Sequence, residues 1–135
     1  MALPANADIA LCLVELGHTE NCAPDLSSYA TLAAGWRGTG ECPSEASMET
    51  AWATVNGDKQ MAKMRAERDA RLAAIEWRVT RNRGQINGSL TQTDDAAKMA
   101  EIYQYMQDLR DMPQDNPSVA DDAAYDALTW PSEPA

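Results

Sequence analysis

The chain has 135 residues, a formal net charge of −10 and 44% hydrophobic residues. That length holds one domain, or one small domain with arms, and excludes a multidomain enzyme. The acidic sum argues against nucleic acid as a partner, which needs a basic surface, and no run of about 18 apolar residues exists to span a membrane.

With 24 alanines, no phenylalanine, four tryptophans and four tyrosines, any core is thin and built by close helix packing. The first residues lack a basic stretch, and Asp8 and Glu15 interrupt their apolar run, so they do not read as a secretory signal. The expected class is a small, soluble, mainly α protein.

Residues 1–42 are punctuated by Pro4, Gly17, Pro24, Gly35, Gly38 and Gly40 and read as an N-terminal arm or subdomain of short elements. Asp8 is placed to cap a helix over 9–16, which Gly17 would end. A second short element over 27–36 reads as helix rather than strand, with Ser27 or Ser28 as its cap and alanines behind.

Cys12, Cys22 and Cys42 fall in this region, and an odd count cannot close into intramolecular disulfides alone. Their spacings match no zinc pattern, and His18 is the sole histidine. A Cys/His site from Cys12, His18, Cys22 and Cys42 is outweighed by small buried hydrophobes beside a loop histidine. No group orients His18 for cysteine–histidine catalysis, and the chain has neither a glycine-rich phosphate loop nor a GxSxG elbow. The expectation is no catalytic residue, no metal and no cofactor.

Residues 43–112 read as a helical hairpin, with long helices over about 44–82 and 94–112. Pro43 and Ser44 open the first, and Gly57 either interrupts or bends it. Met61, Met64, Arg68, Leu72, Ile75 and Val79 then recur at three- and four-residue steps, a narrow apolar stripe that suggests a coiled-coil-like seam. Arg68 breaks the stripe, either as a snorkelling side chain or as the partner of an acid on a facing helix.

The glycines at 84 and 88 are expected to stop the helix. Thr91 or Thr93 would cap the next, with Asp94 and Asp95 in its first turn, where the helix dipole favours negative charge. Its stripe is Met99, Ile102, Met106 and Leu109, and it should end before Pro113. Residues 113–135 form an acidic, proline-bearing extended tail with room for a short helix near 120–128.

The charge is unevenly spread. Residues 59–83 hold eight basic residues against Glu67, Asp69 and Glu76, for +5, whereas 94–133 hold ten acids against Lys98 and Arg110, for −8. One reading is complementarity within the hairpin. The other is a bipolar surface that docks onto a partner or a second copy of the chain.

The run from Tyr105 to Pro113 (YMQDLRDMP) and the WPxxP ending of Trp130, Pro131 and Pro134 resemble the C-terminal half of the bacteriophage tail assembly chaperone family. Upstream, the run from Arg65 to Leu72 (RAERDARL), continuing to Trp77, is similar to that family's RxxRDxLLxxxDW-like helix. The three pieces lie in the same order and cover residues 65–135; Met106 and Glu133 stand where the family usually has basic residues.

The resemblance implies a non-enzymatic helper that binds a phage tail fibre or another tail protein in the host cytoplasm during assembly. The alternative is a structural fibre, baseplate or adaptor subunit that stays in the virion tail. Carried over residue by residue, the expected partner-binding set is Arg68, Trp77, Tyr105, Leu109, Arg110, Trp130, Pro131 and Pro134. The methionines offer an adaptable apolar surface or simply core. Trp130 is either an aromatic anchor for a partner or a cap on the hairpin's own core.

Overall fold

A computed structural model describes residues 2–135. Among them the regular structure is all α: α1 Ile9–Glu15, α2 Tyr29–Ala34, α3 Glu45–Asn87, α4 Ala96–Asp115 and α5 Asp122–Asp126. The chain divides into two compact units, Met1–Lys59 and Gln60–Ala135, and α3 contributes to both.

In the first unit, Asp8 caps α1 by accepting from the Leu11 N–H at 3.0 Å. Gly17, at φ +92°, then closes the helix. The Gly17 N–H donates to the Val14 carbonyl and the His18 N–H to that of Leu13, a paired closure that needs a left-handed residue at Gly17. Ser28 and Thr31 cap α2 reciprocally. Ile9, Cys12 and Leu13 of α1, Leu32 of α2, and Met48 and Trp52 of α3 form the core.

In the second unit, α3 and α4 run antiparallel around two apolar clusters. Ile75 and Val79 pack among Met99, Ile102, Tyr105, Met106 and Leu109, while Met64 meets Met112 and Val119.

Several expected boundaries are corrected. The first long helix runs through Gly57 and Gly84 to Asn87, because its stop signal lies further on at Ser89. Ser89 sits at φ 53°, its N–H donates to the Ile86 carbonyl, and the Leu90 N–H donates to that of Gln85. Asp95, not a threonine, caps α4 through the Lys98 N–H at 2.8 Å, and Thr93 instead accepts from Gln85 at 2.8 Å.

Pro113 lies inside the last turn of α4. Its fixed φ suits a helix, and only one late hydrogen bond is forfeited. Asn116 closes that turn, with both its backbone N–H and its side-chain amide donating to the Met112 carbonyl.

The tail folds back along α3. Asp121 caps α5, and Gln60 donates to Asp122 at 2.5 Å. Lys63 lies 4.0 Å over the Tyr125 ring, Arg71 lies 4.6 Å over Trp130, and Arg78 donates to the Pro134 carbonyl at 3.0 Å. These contacts advance together along both segments, so the tail runs parallel to α3.

Candidate partner-binding face of the second unit

The polar centre of the second unit is Asp94, in the turn between α3 and α4. It is 6% exposed, and three side chains spaced along one face of α3 converge on it. Arg78 donates from Nη2 to Oδ1 at 2.6 Å and from Nε to Oδ2 at 3.1 Å. Arg81 donates from Nη2 to Oδ2 at 2.7 Å, and the Asn82 amide donates to the Asp94 carbonyl at 3.0 Å. Hydrogen bonding by Arg78, joined by Arg81, outweighs the cost of burial and lowers the Asp94 pKa to about 2. Asp94 in turn raises that of Arg78.

Arg78 has donors left over, and they reach the Pro134 and Ala135 carbonyls at 3.0 Å each. One guanidinium therefore joins the helix, the turn and the end of the tail. Arg71 takes the next position back along α3, beneath the Trp130 ring, with Glu67 accepting from its Nε at 2.9 Å. Trp130 is half-buried and touches both apolar clusters of the unit.

Beside Trp130 lies a groove of about 550 Å³, between the last turns of α4 and the tail. Met112, Val119, Leu128 and Pro131 line it, with Asp108 and Asp115 also on its wall. The wall thus mixes apolar side chains with acids and with Asn116, Ser118 and Thr129, which suits a segment that carries both an apolar anchor and a basic neighbour.

The residues singled out in the sequence fall into three places. Trp130, Pro131 and Pro134 belong to the docked tail, where Trp130 and Pro131 both reach the groove. Tyr105 and Leu109 are buried in the hairpin core at 4% and 0% exposure. Arg110 is exposed, Trp77 is 58% exposed with Arg81 lying 4.7 Å over its ring, and Arg68 pairs with Asp69, its neighbour on the same helix. The partner envisaged for Arg68 on a facing helix is therefore corrected to an adjacent residue, Asp69.

The charge asymmetry is joined at a single point. Among the described residues, the ion pairs between the basic helix and the acidic half are those of Arg78 and Arg81 with Asp94. Lys59, Arg65 and Arg83 are exposed and in no such pair, as are Asp108 and Asp115, and the half-buried Asp111 is in none either, save for amide contacts from Gln104 to Asp108 and Gln107 to Asp111. The role of Asp94 was missed in the sequence, where it reads as a first-turn acid. Arg78 and Arg81, three apart on one helix face, were the available signal.

No helix among the described residues is long and apolar enough to cross a membrane. A family model described as phage tail assembly chaperone protein matches residues 61–135, nearly the whole second unit and none of the first. No curated protein and no solved structure matches the chain.

Proposed function

The chain belongs to the phage tail assembly chaperone family, and on that premise we propose that it serves tail assembly by binding a tail-fibre polypeptide through its second unit. The observation that carries this reading is the groove beside Trp130, inside the family segment and bounded by the family-like WPxxP tail. In this proposal an apolar side chain of the fibre packs against Met112, Leu128 and Trp130, and a basic neighbour meets Asp108 and Asp115.

Trp130 and Pro131 make direct contact. Arg110 and Trp77 lie on the exposed surface and extend the contact area. Tyr105, Leu109 and Pro134 hold the scaffold that presents it, while Arg68 pairs with Asp69 beside it on α3. The action is stoichiometric and transient, and it covers the fibre's apolar surface until the fibre assembles in the host cytoplasm.

Co-expression is the test. A fibre that is insoluble alone should become soluble with this chain and aggregate again with Leu128→Asp, a variant at the groove wall. Fibre that stays insoluble with the unaltered chain refutes the proposal.

A second reading keeps the chain in the virion tail. It is favoured by apolar exposure outside the family segment, where Leu11 and Val14 of α1 are 45% and 57% exposed. Mass spectrometry of purified particles separates the two, because a retained subunit is present in stoichiometric amounts and a transient helper is not.

A further inference from the structure

We infer that His18, Glu20 and Cys22, in the loop after α1, form a binding site for a divalent transition-metal ion of the zinc class. Their donor atoms all lie within 4.8 Å of one another, and all three residues line one cavity of about 270 Å³. The cavity gives an ion both room and an entry path.

Local structure explains the convergence. The left-handed turn at Gly17 ends α1, and alternate residues of the loop that follows present their donors together. His18 Nδ1 lies 3.0 Å from Glu20 Oε1, and the Cys22 thiol donates to the Glu20 carbonyl at 3.4 Å. The Thr39 N–H donates to Glu20 Oε1 at 2.8 Å, and the His18 ring meets Trp36 edge-on at 5.2 Å. Both contacts fix ligand orientation in the way that outer partners do around metal sites.

The donor set decides the class of ion. Imidazole, thiolate and a single carboxylate suit zinc or cobalt, whereas calcium and magnesium require several oxygens. Metal–ligand bonds of about 2.0–2.3 Å place tetrahedral donors roughly 3.3–3.8 Å apart, so the widest pair, within 4.8 Å, needs to close by an ångström or so at most.

The unit's own charge favours a cation, because residues 1–59 carry eight acids against Arg37 and Lys59. Coordination replaces the Cys22 S–H bond with an S–metal bond, and the thiol proton passes to solvent. The set weighed from cysteine spacing differs: Glu20 enters, and of the three thiols only that of Cys22, itself at the edge of a cavity though part of the core, lies with His18 and Glu20.

The experiment is a titration of the reduced full chain with cobalt(II), followed by zinc competition. The expected result is one equivalent bound, with a thiolate-to-cobalt charge-transfer band, four-coordinate visible bands, and loss of both on adding zinc. Cys22→Ser should abolish the charge-transfer band, and His18→Gln should weaken cobalt binding by about tenfold or more. Cys42→Ser should bind as the unaltered chain does. Circular dichroism checks each fold, and His18→Gln decides the matter if the buried Cys22 does not tolerate serine. Absence of a band at one equivalent, or an unchanged titration in His18→Gln, overturns the inference.

Discussion

Arg78 grips both carboxylate oxygens of Asp94, at 2.6 and 3.1 Å, with a guanidinium that also holds the last two carbonyls of the chain. A fork of donors in one plane does this, whereas a lysine ammonium cannot make the same set of bonds. Arg78→Lys therefore keeps the charge and loses the clamp. It should lower the melting temperature by several degrees and speed amide exchange in the tail from Leu128 onward. Arg68→Ala, whose partner Asp69 is exposed, should do neither. Equal exchange in the two variants would show that the tail is held by Trp130 alone.

Acid stability depends on the same carboxylate. Asp94 titrates at about 2 in the folded chain, against an ordinary aspartate value of about 3.9. A depressed folded value stabilises fully above the ordinary value, and that contribution is lost as pH falls through about 2. Urea midpoints measured across that window should fall more steeply for the unaltered chain than for Asp94→Asn. Glu20 is also held at about 2, first by the Thr39 N–H and then by His18. Glu20→Gln should therefore remove a separate share of the slope, assigned to the first unit.

Trp130 is both a wall of the groove and a bridge between the two clusters of its own unit. Replacing a half-buried tryptophan with alanine is expected to cost about 2 kcal/mol, below the range for a fully buried one. Its coupling to Arg71, measured by a double-mutant cycle, should be about 0.5–1 kcal/mol. Partner binding should fall as well, so Trp130→Ala alone cannot distinguish anchor from core. Leu128→Asp can, if its fold is intact while the fibre is no longer captured.

How much of this was legible in the sequence depends on the range of the interaction. Caps set by residues a few positions apart were readable at Asp8 and Ser28, and the spacing of Ile75, Val79, Ile102 and Leu109 marked the buried faces. Contacts at long separation were not. Nothing local says that Arg78 meets Asp94 rather than an acid one turn away, or that Arg71 lies beneath Trp130. Glu20 is a mixed case: His18 and Cys22 are each two residues away, within local reach, and only the Thr39 N–H, 19 residues on, is a distant partner. Glycine was over-read as a stop signal at Gly84, where packing and a later closure carry the helix onward.

The passage of α3 through Gly84 gives a direct test of the helix end. A Cβ added at Gly84 meets nothing within 4 Å, and the residue lies inside α3 rather than at its end. Alanine there loses less backbone entropy on folding, so Gly84→Ala should stabilise the second unit by about 0.8–1 kcal/mol. Ser89, by contrast, occupies φ 53°, a left-handed conformation that costs most residues about 1–2 kcal/mol and glycine little. Ser89→Gly relieves that strain but adds freedom to the unfolded chain, for a net gain of at most about 1 kcal/mol. The sites are five residues apart on one helix end, and their effects should add to within about 0.5 kcal/mol if neither shifts the closure. Urea denaturation of the two single variants and the double variant checks both. A loss of stability in Gly84→Ala would mean that α3 ends before Gly84, as glycine content alone suggests, and not at Asn87.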